Sequence, residues 1–378
     1  MTSRTMHSYL SDPLLKRVYD DMRAAGPVRA IAVDLTQACN LRCAGCYFYA
    51  EGLDRSVPPP EEAFDRFIAG ERARGTNFVT VVGGEPALAL GRLKKLYDAF
   101  RISVATNGWR RIPREGFEHL PIGVAVWGDR TTDRMLRGGG MLDVFSRALK
   151  NYEGDDRAFW YYTTSPGRAH EIESVVERCI ANGNAVLFNF SVDIGGETGN
   201  PGRQGGFEAV RREIDRMIDR YPDRILLPSY VAGVVATGSL YGEHWGYEVC
   251  TSVSADAGVN RRRVANGHVF SPHFRAYNAD LISTRRCCTG NTRDCALCFD
   301  VWQHFSWIIL NLRKHLHSQE EFTCWLSAAY AFYVANRIVD ITAGARLLAE
   351  LHLRMRNSED PAQGESEHAS AEAEAQVE

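Results

Sequence analysis

Six short apolar runs alternate with longer segments that have helical character, and this alternation most limits how the chain can fold. The runs cover residues 30–35, 78–82, 102–105, 122–127, 158–163 and 186–192. The stretch at 61–74 places Phe64, Phe67 and Ile68 on one helical face and ends at Gly75, as an amphipathic helix does. Strands that alternate with helices pair in parallel, so the pattern predicts an α/β fold. Periodicity alone leaves a doubly wound layer and a partial barrel both open.

The sequence divides into five regions on composition and periodicity. We expect an N-terminal helical segment, a core that contains the six runs, an irregular cysteine-rich module, C-terminal helices with apolar residues at helical spacing, and a disordered tail that is acidic and rich in alanine. Their predicted bounds are residues 1–27, 28–235, 236–300, 301–356 and 357–378.

Composition narrows the classes of protein to consider. The chain has 378 residues, a net charge of -3 and a pI near 6.4, which provide no global field for binding nucleic acid phosphates. It contains no apolar run long enough for a signal peptide or a membrane span, so we expect a cytoplasmic protein. In that reducing compartment its ten cysteines are expected to be metal ligands or buried apolar side chains rather than disulfides.

Three of these cysteines, Cys39, Cys43 and Cys46, form a CxxxCxxC arrangement directly after the first apolar run. A 4Fe-4S cubane normally takes four thiolates, so three leave one iron free for an exogenous ligand. An amino acid group could chelate that iron through its amine and carboxylate. Zinc and buried free thiols are the alternatives, but zinc needs a fourth ligand, and residues 40–49 contain no His, Asp or Glu.

The segment 32–50, AVDLTQACNLRCAGCYFYA, resembles the signature of the radical S-adenosylmethionine (SAM) superfamily. The resemblance implies a partial (β/α)6 barrel and a 4Fe-4S cluster held by the three cysteines. It also implies reductive cleavage of SAM to a 5'-deoxyadenosyl radical. Family members usually carry an aromatic residue before the third cysteine, beside the adenine; Gly45 stands there in this sequence, and Tyr47 is the candidate substitute.

A second motif follows the second apolar run, where Gly83, Gly84, Glu85 and Pro86 form a GGEP turn. Glycines allow the backbone to approach a ligand closely. The resemblance implies that this turn hydrogen-bonds the amino group of SAM, with Glu85 adding charge complementarity. Taken alone, the same four residues also fit an ordinary turn.

Polar residues end three further runs, and barrel enzymes collect their chemistry at the carboxyl ends of strands. Thr106 and Asn107 occupy positions from which the resembling family often contacts the ribose or carboxylate of SAM, although Asn-Gly is also an ordinary turn signal. Thr163, Ser165 and Asn189 end the fifth and sixth runs. All five are predicted cofactor-binding residues, with a purely structural role as the alternative.

The cysteine-rich module adds a second group of candidate ligands. It resembles a degenerate SPASM or twitch extension, which implies one auxiliary iron-sulfur cluster; zinc bound by the same thiolates and an unmetallated remnant are the alternatives. The candidate ligands are Cys250, Cys287, Cys288, Cys295 and Cys298.

The predicted function is that of a radical SAM enzyme which modifies an unactivated carbon of a small molecule. The layout also resembles the hopanoid adenosyl transferase and enzymes of antibiotic biosynthesis, which suggests a sugar or nucleoside intermediate of specialised metabolism. Fewer than forty residues precede Cys39, too few for a peptide-recognition domain. A radical SAM peptide maturase and a non-catalytic iron-sulfur sensor are the alternatives. An enzyme of this class needs an external one-electron reductant of the flavodoxin or ferredoxin type.

Overall fold

The computed structural model describes residues 2–191, 206–240, 243–244, 274–285 and 299–359, with the single residues 254, 256 and 258. The described strands are β1 (Ala30–Asp34), β2 (Phe78–Val82), β3 (Arg101–Thr106), β4 (Ile122–Val126), β5 (Ala158–Thr164), β6 (Ala185–Phe190), β7 (Ser239–Leu240), β8 (Glu243–His244) and β9 (Ala276–Tyr277). Seven of them form the central sheet, in the order β6-β5-β4-β3-β2-β1-β9, and β7 and β8 form a separate antiparallel pair.

The six predicted runs correspond to β1 to β6, which all pair in parallel with their sequence neighbours. The predicted α/β fold with a partial barrel is therefore confirmed. Part of the region expected to form a separate module also joins this sheet. Ala276 and Tyr277 lie parallel to Ala32 and Val33, so β9 extends the barrel sheet beyond β1.

Thirteen α-helices are described, and most of those between the strands carry the chain from one parallel strand to the next. They are α1 (Thr2–Tyr9), α2 (Pro13–Ala25), α3 (Tyr47–Ala50), α4 (Glu61–Arg74), α5 (Leu90–Ala99), α6 (Arg130–Leu136), α7 (Val144–Asn151), α8 (Ile172–Ala181), α9 (Glu208–Arg220), α10 (Ser229–Thr237), α11 (Val301–Leu310), α12 (Gln319–Ala335) and α13 (Ile341–Glu359).

Local sequence explains where these helices begin and end. The Asp12 carboxylate accepts hydrogen bonds from the backbone amides of Leu14 and Leu15, at 3.0 and 3.1 Å, and so begins α2. Such an N-cap stabilises a helix by about 1 kcal/mol. α4 ends at Gly75, whose φ of 91° is a left-handed conformation that favours glycine. The helix predicted at 61–74 thus has its expected bounds.

The two faces of the sheet pack against different parts of the chain. On the outer face, the Trp160 ring lies 5.5 Å from Phe145 of α7. On the inner, concave face, Tyr161 stacks on Trp302 of α11 with ring centroids 6.1 Å apart. Further C-terminal helices lie beyond α11, and α13 continues to Glu359, past the predicted boundary at residue 356. Residues 360–378 of the predicted tail lie outside the described residues.

A buried ion pair stabilises the amino edge of the sheet. The Arg157 guanidinium, immediately before β5, donates to the Asp155 carboxylate at 2.6 and 2.9 Å, and both side chains are inaccessible to solvent. The same guanidinium donates to three backbone carbonyls, those of Ile112, Pro113 and Phe117. All of its polar capacity is therefore used within the fold, as a buried charge requires.

Candidate cluster and cofactor site

The three cysteines of the triplet lie on the loop that joins β1 to α3, at the carboxyl edge of the sheet. The Cys39 thiol accepts a hydrogen bond from the Leu41 amide at 3.5 Å. Helix α3 begins directly after Cys46, where the backbone amides of Phe48 and Tyr49 act to lower the pKa of the Cys46 thiol. Burial raises the pKa of all three thiols, that of Cys43 to about 11. The apo site therefore favours neutral thiols, and a bound cation would favour thiolates.

The three thiols of the triplet are the candidate donors for a bound metal group. Within the described ranges no three His, Cys, Asp or Glu side chains converge on one metal position. The thiols of Cys39, Cys43 and Cys46 are nevertheless near enough to one another for Cys39 and Cys46 to raise the pKa of Cys43. A cubane binds each thiolate through a different iron, so it does not need the three sulfurs to converge on one position. The donor set is thus compatible with a three-cysteine 4Fe-4S site.

The glycines of the GGEP turn are required by its close approach to the cluster loop. Gly83 and Gly84 have φ of 74° and 49°. A Cβ at Gly83 would lie 2.2 Å from the Asp34 carboxylate, and one at Gly84 would lie 2.3 Å from the Ala38 carbonyl oxygen. The Glu85 amide in turn donates to that Ala38 carbonyl at 2.8 Å. The turn after β2 and the loop after β1 therefore form one packed unit.

The Glu85 side chain points into the protein. It is 1% exposed, and its carboxylate accepts hydrogen bonds from the Thr106 hydroxyl at 2.6 Å, the Asn107 amide at 2.7 Å and the Ala87 amide at 2.9 Å. Burial raises the pKa of Glu85, although these hydrogen bonds oppose the shift. Pro86 begins the short 3-10 turn that positions the Ala87 amide. The structure thus gives Glu85 a role in joining β2 to β3; contact with the cofactor remains a prediction.

Asn107 extends this network from Glu85 to the cluster loop. Its side-chain amide nitrogen donates to the Asn40 side-chain oxygen at 2.9 Å and lies 3.9 Å from the Cys39 sulfur. Its side-chain oxygen accepts from the Trp109 amide at 2.9 Å. Hydrogen bonds therefore link Glu85, after β2, and Asn107, after β3, to the Cys39 thiol.

Arg137, which sequence reasoning missed, lies at the end of α6 beneath the cluster loop. It is 2% exposed. Its guanidinium donates to the Asn107 carbonyl at 2.7 Å and to the Asp133 carboxylate at 3.0 Å. It also donates towards the Cys43 thiol, and this interaction opposes the effect of burial on the pKa of Cys43. A buried positive charge thus contacts a candidate cluster ligand.

A second missed residue, Arg285, reaches the same edge of the sheet from the C-terminal region. It forms an ion pair with the Asp34 carboxylate at the end of β1, and both side chains are buried. Burial raises the pKa of Asp34 to about 6, against the attraction of Arg285. The Arg285 guanidinium also lies 6.0 Å from the ring centroid of Tyr47, the predicted adenine contact. Isolated arginines carry no sequence pattern, so no signal could have found this contact or that of Arg137.

The remaining candidates lie at the ends of β5 and β6. Thr163 and Asn189 are neighbours in the β5–β6 register and are partly exposed on the inner face. The Asn189 side-chain oxygen accepts from the Val301 amide at 2.9 Å, which fixes the start of α11. Ser165 follows β5, and its carbonyl accepts from the Arg168 amide at 3.2 Å. Asn189 therefore already has a structural partner, and Thr163 lies beside it on the same face, partly exposed.

The candidate ligands of the C-terminal module lie outside the described residues, namely Cys250, Cys287, Cys288, Cys295 and Cys298. In the described part of the chain, no helix has the length and apolar character that a membrane span needs.

Comparison with known proteins identifies the family. The model of the radical SAM superfamily matches residues 33–229, just over half of the chain. The chain belongs to the radical SAM superfamily. The matched residues include the cysteine triplet, the GGEP turn and all the candidate positions up to Asn189. Apart from Arg285, the residues of the network at the carboxyl edge of the sheet thus lie within a radical SAM enzyme domain. Membership of this family implies a 4Fe-4S cluster and SAM.

Among curated proteins, this radical SAM enzyme is similar to the sporulation killing factor maturation protein SkfB of Bacillus subtilis (strain 168). The two are 29% identical over 202 residues, which cover 49% of this chain and 47% of SkfB. The chain thus spans about half the length of the curated relative it matches.

Solved structures of radical SAM proteins are also similar. The chain matches anSMEcpe with bound AdoMet at 14% identity and a TM-score of 0.45, covering 84% of this chain and 99% of that one. It matches Streptococcus suis SuiB bound to S-adenosylmethionine at 13% identity and a TM-score of 0.38, covering 58% and 53% of the two chains.

Proposed function

We propose that this radical SAM enzyme is a maturase that modifies an unactivated carbon of a peptide. The observation that carries the enzymatic part is the hydrogen-bonded network of Glu85, Asn107 and Cys39, which joins the GGEP turn to the cluster loop. The peptide part rests on the similarity to SkfB, which is named as a maturation protein. That similarity favours the maturase alternative over the small-molecule substrate expected from the sequence.

The residues of the site have distinct tasks in this proposal. Cys39, Cys43 and Cys46 would hold a 4Fe-4S cluster, and the backbone of Gly83 and Gly84 would approach SAM. When bound and reduced, the cluster and SAM would supply the radical chemistry that activates an unreactive C–H bond. The protein's own contribution is to fix the reacting groups and to exclude water.

The inner face of the sheet is suited to receive the substrate beside the cofactor. Ala105, Ala125 and Thr163 lie near the carboxyl ends of three adjacent strands, and each is partly exposed. Small side chains at these positions leave the concave surface accessible. Ligands of open parallel sheets bind at this edge.

Anaerobic reconstitution tests the enzymatic part. Wild-type protein, supplied with iron, sulfide, dithionite and SAM, should form 5'-deoxyadenosine, whereas the Cys39→Ala, Cys43→Ala and Cys46→Ala variants should form none. Cys179→Ala is the matched control, because Cys179 is buried within α8 and belongs to the outer helical layer. Formation of 5'-deoxyadenosine at the wild-type rate in any triplet variant would refute the assignment. An intact cluster that never cleaves SAM would favour the sensor alternative.

The substrate is tested separately. Short peptides encoded beside the gene and a panel of sugars and nucleosides should be supplied to the active enzyme. A peptide substrate should increase 5'-deoxyadenosine formation and change in mass. The same responses with a sugar or nucleoside alone would restore the small-molecule prediction.

We also propose one auxiliary cluster at the C-terminal cysteines. The spacing of Cys295 and Cys298 lets both thiolates reach one metal, and Cys250 with Cys287 or Cys288 would complete its ligands. Reconstituted protein should then bind more than the roughly four irons of a single cubane. The double variant Cys295→Ala/Cys298→Ala should lose this additional iron and keep the iron of the first cluster. About four irons in both proteins would leave these cysteines without a cluster, and stoichiometric zinc would indicate a zinc site.

A further inference from the structure

An exposed apolar patch lies on the segment that runs from the last turn of α6 to the start of α7. Six large apolar side chains are exposed in the described part of the chain, and three of them belong to this segment: Met135 at 63%, Met141 at 80% and Leu142 at 39%. Met135 lies close to the chain before Met141, because its sulfur is 3.6 Å from the Cβ position of Gly140, and Leu142 directly follows Met141. We call these three residues the methionine patch. Exposed apolar side chains that cluster in this way are typical of binding surfaces.

The methionine patch adjoins the tip of the cluster loop. The Ala44 amide donates to the Leu136 carbonyl at 2.7 Å. Ala44 lies between Cys43 and Gly45, and Leu136 directly follows Met135, so the loop tip and the patch are neighbours. Ala44 and Gly45 are both exposed. The loop tip between the candidate ligands Cys43 and Cys46 is therefore at the surface, beside the patch.

Two exposed arginines lie on the elements that carry this surface and the adjoining loop tip. Arg134, one residue before Met135, is exposed, and its guanidinium donates to the Gly140 carbonyl at 2.8 Å. Arg42, on the cluster loop, is also exposed and lies 4.6 Å from the ring centroid of Tyr49. An apolar centre with a cationic border is complementary to a protein whose own contact surface has an acidic border. Methionine side chains adapt readily to such a partner.

We propose that the methionine patch is the docking surface for an acidic one-electron carrier protein of the ferredoxin or flavodoxin type. This inference rests on the proposed enzymatic function, because only a redox-active cluster needs such a partner. One electron passes from the reduced carrier, which is thereby oxidised, to the cluster held by the triplet, and no bond forms or breaks. Electron transfer slows steeply with distance, so the exposed tip next to Cys43 and Cys46 is a favourable point of entry. The substrate would occupy the inner face of the sheet.

Charge substitutions at Met141 test this surface with opposite signs. With a reduced, acidic 2Fe-2S ferredoxin as donor, Met141→Glu should raise the half-saturating ferredoxin concentration about tenfold through like-charge repulsion. Met141→Lys should leave it unchanged or lower it, and added salt should reduce the difference between the two variants. Leu353→Glu is the matched control, since Leu353 is 51% exposed on α13. Dithionite-driven 5'-deoxyadenosine formation should be the same in all four proteins, because dithionite needs no docking surface.

Direct binding of oxidised ferredoxin to each protein, measured by surface plasmon resonance, decides the docking question independently of turnover. Equal ferredoxin affinity in Met141→Glu and Met141→Lys would overturn the proposal. So would weaker use of a peptide substrate by Met141→Glu with dithionite, which would assign the patch to the substrate instead. Failure of the wild type to cleave SAM with dithionite would refute the proposed function, whereas the binding measurement would still decide whether ferredoxin docks here.

Discussion

Asp34 and Arg285 form a buried ion pair that joins the end of β1 to the C-terminal region. Asp34 lies against Gly83 of the GGEP turn, and Arg285 precedes Cys287 by two residues in the sequence. The pair therefore links the cofactor turn to the segment that leads into the candidate auxiliary ligands. Whether the ionised form of Asp34 is favoured depends on which is larger, the effect of burial or the attraction to Arg285.

Burial dominates, and this predicts a specific pH dependence. The pKa of Asp34 rises from its ordinary value of 3.8 to about 6, so between these pH values the folded state holds a proton that the unfolded state has lost. The free energy of unfolding should therefore fall as pH rises through this window, by about 3 kcal/mol. Urea unfolding of wild type and Asp34→Asn at pH 4.5, 5.5 and 7 measures the difference. A wild type that gains stability over the variant as pH rises would show that attraction to Arg285 outweighs burial.

Gly84→Ala should separate the GGEP turn from the cluster loop. The new Cβ would lie 2.3 Å from the Ala38 carbonyl oxygen, and the φ of 49° strains any side chain. We expect a loss of about 2 kcal/mol in stability and weaker SAM binding by isothermal titration calorimetry. Gly91→Ala is the control, since it lies in α5 with nothing within 4 Å of its Cβ position. Equal SAM affinity in the two variants would contradict the close approach that the structure indicates.

Glu85→Ala should damage the cluster site as well as the cofactor turn. The substitution removes the acceptor of three hydrogen bonds and leaves the Thr106 hydroxyl and the Asn107 amide buried without it. We expect a loss of about 3 kcal/mol in stability. Because Asn107 also contacts Asn40 and Cys39, the variant should retain less iron after gel filtration than the wild type. Full iron retention with weakened SAM binding would instead indicate that Glu85 acts on the cofactor alone.

Sequence patterns were sufficient for the sheet because apolar runs bounded by polar residues mark buried parallel strands. Phe78–Val82 has the bounds expected from the sequence, and β1, β3, β4 and β5 differ from expectation by at most one residue at either end. β6 begins one residue earlier and ends two residues earlier than expected. β9 could not be predicted, because Ala276 and Tyr277 are too few to show any periodicity. Only pairing with β1 makes them a strand.

The site was predicted in its parts but not in its connections. The residue types and spacing of the triplet and the GGEP turn are properties of the local chain, and both motifs lie at the carboxyl edge as expected. The direction of the Glu85 side chain depends on the end of β3, more than twenty residues later in the chain. Arg137 likewise becomes part of the site only because α6 ends beneath Cys43. Such tertiary contacts have no local sequence signal.

Arg137 should help to set the reduction potential of a cluster bound at the triplet. Its guanidinium faces Cys43, while its counter-charge, Asp133, lies on the same helix and is fully buried. Reduction adds one negative charge to the cluster, and a nearby positive charge stabilises that state. Arg137→Gln should therefore lower the potential, and Asp133→Asn should raise it by removing the opposing charge. Potentiometric titration of the electron paramagnetic resonance signal of the reduced cluster measures both shifts.

Arg157→Gln provides the matched control for this prediction. Arg157 is equally buried, pairs with Asp155 and donates to three backbone carbonyls, but it lies at the amino edge of the sheet, opposite the cluster loop. Breaking either buried pair should cost about 3 kcal/mol or more in stability. Of the two arginine substitutions, only Arg137→Gln should move the potential, because the interaction of a charge with the cluster decreases with distance. Equal potentials in the wild type, Arg137→Gln and Asp133→Asn would show that Arg137 has only a structural role beneath the cluster loop.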